Sequence, residues 1–133
     1  MGDSYTNFTD FIFDQYENHL FHLGRMHTGQ IDGVGVNKDP EFGIVVITLQ
    51  MSKNDGNRIN EIYWTVPRGT RTMAVFASLL AKYVTGLQTE EAAVVGVNDI
   101  AAANNIVWPP SLAWHSVAAL QALRQALNHV KKL

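Results

Sequence analysis

The sequence predicts an α+β fold, because helical and strand-like patterns follow one another in separate blocks. Apolar residues recur at helical spacing over residues 10–23. Two alternating stretches joined by an Asp-Gly pair then indicate antiparallel strands. From Thr70 onward the apolar spacing is helical again. This order predicts an N-terminal helix, a three-stranded antiparallel sheet and several helices packed beside the sheet.

The first helix is predicted over residues 10–23. Asn7 or Thr9 would cap its N-terminus, and Gly24 would end it. Apolar residues near a 3.6-residue period predict one buried face: Phe8, Phe11, Ile12, Tyr16, Leu20 and Leu23.

The three strands are predicted over residues 31–36, 44–51 and 59–66, with Asp39-Pro40 interrupting the chain after the first. Asn54-Asp55-Gly56-Asn57 predicts a hairpin turn, because Asp-Gly supplies the positive φ values that tight hairpins need. Alternation in the third strand predicts two faces, one with Ile59, Glu61, Tyr63 and Thr65 and the other with Ile62, Trp64 and Val66.

The helices begin after Pro67. Residues 70–84 are apolar nearly all round, which predicts a mostly buried helix that ends at Gly86. Short helices are predicted to open at Thr89 and at Asn98 or Asp99.

The last helix follows the extended break at Trp108-Pro109-Pro110. Ser111 or Ser116 is predicted to cap it, and it would run to Val130. Its predicted core stripe is Val117, Leu120, Leu123, Leu127 and Val130.

Composition narrows the function classes. With 133 residues, 47% of them hydrophobic, the chain is predicted to form one domain over residues 1–133. A net charge of −2 predicts no nucleic-acid partner, and no apolar stretch is long enough to predict a membrane span. The absence of cysteine excludes disulfides and thiolate metal sites. A cytoplasmic location is expected because the absence of cysteine fits it. No enzyme activity is expected because no catalytic motif stands out.

Four local stretches are more specific than the order of elements. They are Asp14-Gln-Tyr-Glu-Asn18, Val84-Thr-Gly-Leu-Gln-Thr-Glu-Glu-Ala92, Asn98-Asp-Ile-Ala101, and Pro109-Pro110 followed by His115-Ser116. In the same order they resemble D-H-Y-E-N, V-K-G-K-T-x-E-E-A, N-T-D-I-A and P-P-V-K-x-H-C-S of the U-type iron–sulfur cluster assembly scaffolds, the family of IscU and the NifU N-terminal domain. The family's fold agrees with the one predicted here.

The family's function depends on three cysteines and an aspartate, since thiolates bind the iron of the cluster. By the resemblance, the first cysteine position is Phe42, or Gly43 after a one-residue shift, and the aspartate position is Ile44. The other two cysteine positions are Thr70 and His115. The resemblance therefore implies a divergent member that cannot hold a cysteine-ligated cluster, with no cofactor expected where relatives carry a cluster or zinc.

The function expected from the resemblance is that of a non-enzymatic accessory or protein-binding module, acting in or beside iron–sulfur cluster assembly. Its expected partners are a cysteine desulfurase, a thiol-bearing scaffold or another metalloprotein. Self-association as a homodimer is also expected, through an apolar former cluster site.

Two other functions are alternatives. Arg68, Thr70, Arg71 and Thr72 surround a helix N-terminus and would suit a small anion or metabolite, or they are surface charges and a helix cap. His115 is the only retained metal donor among the matched positions. It would need Asp39 or Glu41 to make a zinc or ferrous iron site, and a structural role is the alternative.

Two further sets of residues have open interpretations. His19 and His22 have a spacing that permits chelation, but both suit an exposed helix face equally well. Trp108, Pro109, Pro110 and Trp114 form a candidate partner-binding segment, and the two tryptophans are either an exposed patch or core. Chaperone recognition of the Pro-Pro segment is not expected, because Ser111 and Leu112 replace the family's valine and lysine.

Overall fold

The computed structural model describes residues 8–20, 30–39 and 43–132. Within them, one helix precedes a three-stranded antiparallel sheet, and further helices follow, so the predicted α+β order is confirmed. The elements are α1 Phe8–Asn18, β1 Gly33–Asp39, β2 Gly43–Met51, β3 Ile59–Arg68, α2 Arg71–Val84, α3 Thr89–Ala93, α4 Val97–Ala103, a 3₁₀ turn Pro110–Leu112, and α5 Trp114–Lys132.

The sheet has the strand order β1-β2-β3, and the helices α5 and α2 cover one of its faces. Helix α5 lies across β1 and β2, while α2 packs against α5 and β3. Alternate residues of β2 are buried against these helices, as the sequence pattern predicts. The core residues of β2 are Val45, Ile47, Leu49 and Met51.

The predicted faces of β3 are wrong at Ile59, which lies beside one of the two register shifts between β2 and β3. Gln50 pairs with Glu61 but Met51 pairs with Ile59, so the register shifts and Asn60 is an extra residue, as in a β-bulge. The bulge turns Ile59 to the side of Ile62, and both side chains are buried. Strict alternation fails here because a bulge reverses the faces on either side of it.

The hairpin between β2 and β3 forms where predicted, but its mechanism differs. Gly56 is not among the glycines with positive φ in the described residues, so the turn does not use Asp-Gly in the expected way. Instead, a carboxylate oxygen of Asp55 accepts from Asn57 N at 3.1 Å, and the Asp55 carbonyl accepts from Arg58 N at 3.0 Å. The aspartate side chain therefore stabilises the turn locally.

Helix α2 matches its prediction closely. Thr70 is its N-cap, since the Thr70 Oγ1 accepts a hydrogen bond from Met73 N at 3.1 Å. Most of its residues are buried, and Gly86 follows the helix with a φ of 91°. A positive φ is the conformation that glycine adopts at no steric cost, which explains the residue that ends this segment.

The stretch Thr89-Glu90-Glu91 attaches α3 to the hairpin. Thr89 is buried, and its Oγ1 donates to Asn57 Oδ1 at 2.5 Å. The Asn57 amide donates in turn to Glu90 Oε2 at 2.8 Å, while Glu91 accepts from Gln88 N at 3.0 Å. One of the motifs that carry the resemblance is therefore a structural clamp between α3 and the β2–β3 turn.

Three boundary predictions need correction. Helix α1 ends at Asn18, and the predicted residues Leu23, Gly24 and Asn7 lie outside the described residues. Strand β1 lies two to three residues later than predicted. Helix α5 begins at Trp114, so neither serine is its N-cap; Ser116 lies in the first turn and its Oγ donates to the Ala113 carbonyl at 2.5 Å.

The core face of α5 is only partly as predicted. Leu120, Leu123 and Leu127 are buried, but Val117 is 44% exposed. Two buried alanines of α5, Ala122 and Ala126, lie directly against the glycines of β1. Across the described residues, no helix combines the length and apolar character needed to cross a membrane.

Candidate functional site

Thr70 and His115, two positions matched to cluster-ligand cysteines, meet in the structure. Thr70 caps α2 and His115 lies in the first turn of α5. Although 45 residues separate them, Thr70 Oγ1 and His115 Nδ1 are 2.9 Å apart. The topology therefore places the starts of two long helices side by side, at the point where the resemblance locates the former cluster site.

The direction of the hydrogen bond between Thr70 and His115 depends on the histidine tautomer. Thr70 Oγ1 already accepts from Met73 N, so its own hydroxyl hydrogen is available to donate to His115 Nδ1. With Thr70 as the donor, the imidazole hydrogen lies on Nε2; with Nδ1–H of His115 as the donor, Thr70 Oγ1 accepts a second hydrogen bond. Burial lowers the pKa of His115 below its ordinary value of 6.5, because a buried imidazolium loses its hydration. A neutral imidazole is consistent with both observations.

This lowered pKa predicts a pH-dependent stability. Above the ordinary pKa, His115 is neutral in both the folded and the unfolded chain and costs nothing. As pH falls through about 6.5, the unfolded chain binds a proton that the folded chain does not, so stability is lost down to the folded-state pKa. We expect the urea midpoint of the wild type to fall relative to that of His115→Gln between about pH 7.5 and about pH 5. A midpoint difference that is independent of pH would contradict this.

Trp114 covers one face of the same imidazole. The two rings are stacked, with centroids 3.3 Å apart and planes 29° from parallel. Trp114 is half-buried, whereas His115 is buried. The position matched to the third cysteine is thus packed between protein groups, a threonine hydroxyl on one side and an indole on the other.

The predicted anion site has two of its side chains engaged with the protein. Thr70 is both the cap of α2 and the partner of His115. The Arg71 guanidinium lies 5.4 Å from the centroid of the Tyr16 ring, which is a cation–π contact with α1. Thr72 is half-buried, and the side chain of Arg68 lies outside the described residues. Anion binding here stays a prediction.

The first matched segment is described only in part. Phe42 and Glu41 lie outside the described residues, as does the side chain of Asp39. Ile44 is half-buried in β2 and pairs with Lys38 and Arg68, which places it at the end of the sheet from which α2 departs.

The backbone conformation of Gly43 bears on the register of this segment. Gly43 has a φ of 126°, a value that L side chains rarely adopt. A cysteine would be strained at this position, whereas the glycine of the family's C-G-D segment fits it. The match of Phe42 with the first cysteine stays a prediction.

Metal chelation gains no support from the part of the chain that the structure describes. There, no group of three or more histidine and carboxylate side chains could hold a metal ion. His19 lies at 3.3 Å from the Asp14 carboxylate, and His22 is outside the described residues.

Trp108 is a core residue, so its interpretation as part of an exposed patch is wrong. It is 6% exposed, and its ring forms edge-to-face contacts with Phe8 at 4.7 Å and Phe76 at 5.2 Å. Its Nε1 donates to the Leu112 carbonyl at 3.0 Å. The neighbouring prolines are more accessible, Pro109 half-buried and Pro110 exposed.

The structure adds residues that the sequence interpretation missed. Tyr16, predicted to be buried, is 37% exposed, and Phe13 one turn earlier on α1 is 57% exposed. Arg71 contacts Tyr16, and Thr70 and His115 connect Arg71 to Trp114. We call Phe13, Tyr16, Arg71 and Trp114 the aromatic strip. Helical spacing did not single out Phe13, because it lies off the predicted apolar face.

Comparisons with known proteins bear on the fold. No family model matches this sequence, and no curated protein matches it either. Among solved structures, a candidate iron–sulfur cluster assembly scaffold protein for the SUF system from Fervidobacterium islandicum is similar, with a TM-score of 0.65 and 17% identity over 89% of this chain and 94% of that one.

A second similar structure is the N-terminal part of a NifU-like nitrogen-fixing protein from Brucella abortus. It has a TM-score of 0.66 and 13% identity, and the match covers 91% of this chain and 92% of that one. At such identities the similarity establishes a shared fold. The predicted IscU/NifU-type scaffold fold is therefore confirmed, in a chain that contains no cysteine.

Proposed function

We propose that this chain is a non-enzymatic protein-binding module built on the iron–sulfur scaffold fold, which acts in or beside cluster assembly without holding a cysteine-ligated cluster. The observation that carries the proposal is the contact between Thr70 and His115. Two positions matched to cysteines lie within hydrogen-bonding distance of each other, and neither offers a thiolate. At these two matched positions the side chains offer a hydroxyl and an imidazole in place of thiolates.

Cluster binding is disfavoured because neither residue is a cysteine and because both are already engaged in hydrogen bonds. A bridging iron–sulfur cluster needs thiolate ligands at several positions. Here the hydroxyl of Thr70 is used to cap α2, and His115 Nδ1 is used by Thr70. A metal bound through Thr70 Oγ1 or His115 Nδ1 would have to break the contact between the starts of α2 and α5.

Protein binding is favoured by the aromatic strip beside this contact. Tryptophan, tyrosine and arginine are the residue types that dominate the energetics of protein interfaces. Arg71 contacts Tyr16, and Trp114 stacks on His115, the hydrogen-bond partner of Thr70. Tyr16, Arg71 and Trp114 all retain solvent exposure. A partner that covers them would desolvate a cation–π pair and an indole without disturbing the core.

The test is binding to a purified cysteine desulfurase and to a purified thiol-bearing scaffold. We expect binding to one of them, and we expect Tyr16→Ala to weaken it about tenfold, since interface tyrosines commonly contribute more than about 1 kcal/mol. Tyr83→Ala is the matched control, because Tyr83 has a similar exposure, 39%, but lies near the other end of α2. Titration by calorimetry or interferometry gives both affinities.

Two outcomes would contradict the proposal. The first is the absence of binding to both probes, and the second is an equal loss in Tyr16→Ala and Tyr83→Ala. Anaerobic reconstitution with iron and sulfide tests the remaining part, since the wild type should take up no stoichiometric cluster. The variant Phe42→Cys/Thr70→Cys/His115→Cys is the positive control for that measurement, because it restores thiols at the matched positions.

A further inference from the structure

A line of polar side chains on α5 lies along the outer edge of β1. Gln121, Gln125 and His129 are spaced four residues apart, so they lie in one row on the helix surface. The Val36 N–H donates to Gln125 Oε1 at 3.2 Å, and the Val34 N–H donates to His129 Nδ1 at 3.0 Å. Gln121 continues the row and accepts from the side-chain amide of Asn37 at 2.6 Å.

The two N–H groups concerned belong to an edge strand. In the strand order β1-β2-β3, β1 pairs with β2 on one side alone. Val34 and Val36 are two residues apart, so their N–H groups point to the same side, away from β2 and toward α5. Unpaired edge donors of this kind are a template for the addition of another strand.

The glycines of β1 explain how helix side chains reach a strand edge. A Cβ at Gly35 would lie 2.8 Å from Ala126 N and would collide with the carbonyl oxygen of Ala122. A Cβ at Gly33 would lie 2.7 Å from Val130 Cγ2 and would collide with the Ala126 carbonyl. The helix backbone therefore lies directly on the strand, and side chains as short as glutamine and histidine extend past its edge.

Gln125 and His129 each present a hydrogen-bond acceptor to a backbone N–H donor of β1. Each offers a neutral acceptor, an amide oxygen in Gln125 and an imidazole nitrogen in His129, to a backbone donor. Since Nδ1 of His129 accepts, its ring hydrogen lies on Nε2. Both side chains are exposed, so neither is required by the hydrophobic core.

We infer that Gln125 and His129 form an edge cover, which keeps β1 from pairing with another strand and, first of all, with β1 of a second copy of this chain. Strand β1 reads Gly-Val-Gly-Val-Asn-Lys-Asp, contains no proline, and has its charged residues only at its end, Lys38 and Asp39. Over Gly33 to Val36 no charged residue of the strand opposes such pairing, and Val34 is 37% exposed. Any self-association of the native chain then uses a surface other than this edge. The inference does not depend on the proposed function.

The test combines amide hydrogen exchange with the state of association. We expect Gln125→Leu/His129→Leu to raise the exchange rates of the Val34 and Val36 amides at least tenfold in dilute solution. At higher concentration we expect the same variant to associate, as measured by light scattering, while the wild type gains no association through β1. Gln125→Glu, which retains an acceptor, should keep the Val36 amide protected.

Gln121→Leu is the matched control. It introduces the same apolar side chain on the same row of α5, but the contact it removes is with a side chain rather than with an edge N–H. Exchange at Val34 and Val36 should therefore be unchanged. Equal exchange in the wild type and the double variant, or a double variant that stays monomeric at every concentration, would overturn the inference. Equal association of Gln121→Leu and the double variant would also overturn it, because surface leucine would then be the cause.

Discussion

Replacing Gly35 with alanine is expected to destabilise the fold by about 3 kcal/mol or more, the upper range for overpacking a core. The added Cβ would lie 2.7 Å from the carbonyl carbon of Ala122 and closer still to its oxygen. These are backbone atoms of α5, which cannot rotate away as a side chain can. Relief would need α5 to move off β1, and that would separate buried Leu123 and Leu127 from the core they share with the sheet.

Urea unfolding measures this effect, with Gly56→Ala as the control. A Cβ at Gly56 meets nothing within 4 Å, and Gly56 has no positive φ, so its replacement should leave the midpoint nearly unchanged. A Gly35→Ala protein that shows no cooperative unfolding in urea would also agree with the prediction, because the variant would then be too unstable to fold. A midpoint equal to that of the wild type would show that α5 and β1 are less closely packed than described.

The sequence predicted the structure correctly where the structure depends on local patterns. The alternation in β2 predicted its buried residues, since the period of a strand fixes which side chains share a face. Thr70 and Gly86 marked the limits of α2, because capping and positive φ are local requirements. The hairpin was also located, although Asp55 stabilises its turn through its side chain instead of through the expected glycine conformation.

The sequence was insufficient where a distant partner decides the outcome. The spacing of Val117 suits a helix core face, but α5 turns its alanines toward β1 because Gly33 and Gly35 admit the close approach. Nothing local in α5 reports those glycines, which lie about ninety residues earlier. The bulge at Asn60 is a similar case, since it exists only in the pairing of β2 with β3.

In the candidate site, too, some contacts could be predicted from the sequence and others could not. The convergence of Thr70 and His115 was anticipated because the resemblance assigned both to one place. The contact of Arg71 with Tyr16 was not anticipated, because it depends on how α1 packs beside α2. The sequence also could not predict which of the two tryptophans is buried. Trp108 precedes the Pro-Pro break and Trp114 follows it, and their burial differs only through the residues that pack against each ring.

That difference gives the second large prediction, which concerns Trp108. Trp108→Ala should reduce the free energy of unfolding by about 3–5 kcal/mol, the usual cost of truncating a large buried aromatic side chain. The indole packs edge-to-face against Phe8 and Phe76 and so connects α1 and α2, and its Nε1 holds the Leu112 carbonyl at the entry to α5. Trp108→Phe should cost less, because it retains a ring between the two phenylalanines and loses the hydrogen bond.

Two controls separate burial from position. Val107 is the preceding residue and is 84% exposed, so Val107→Ala should change the urea midpoint little. Trp114 is half-buried against His115, so Trp114→Ala should cost clearly less stability than Trp108→Ala while removing part of the aromatic strip. A greater loss of stability in Trp114→Ala than in Trp108→Ala would contradict the expected order of the two residues. If Trp108→Ala unfolded at the wild-type midpoint, then Trp108 would not be the core residue between α1 and α2.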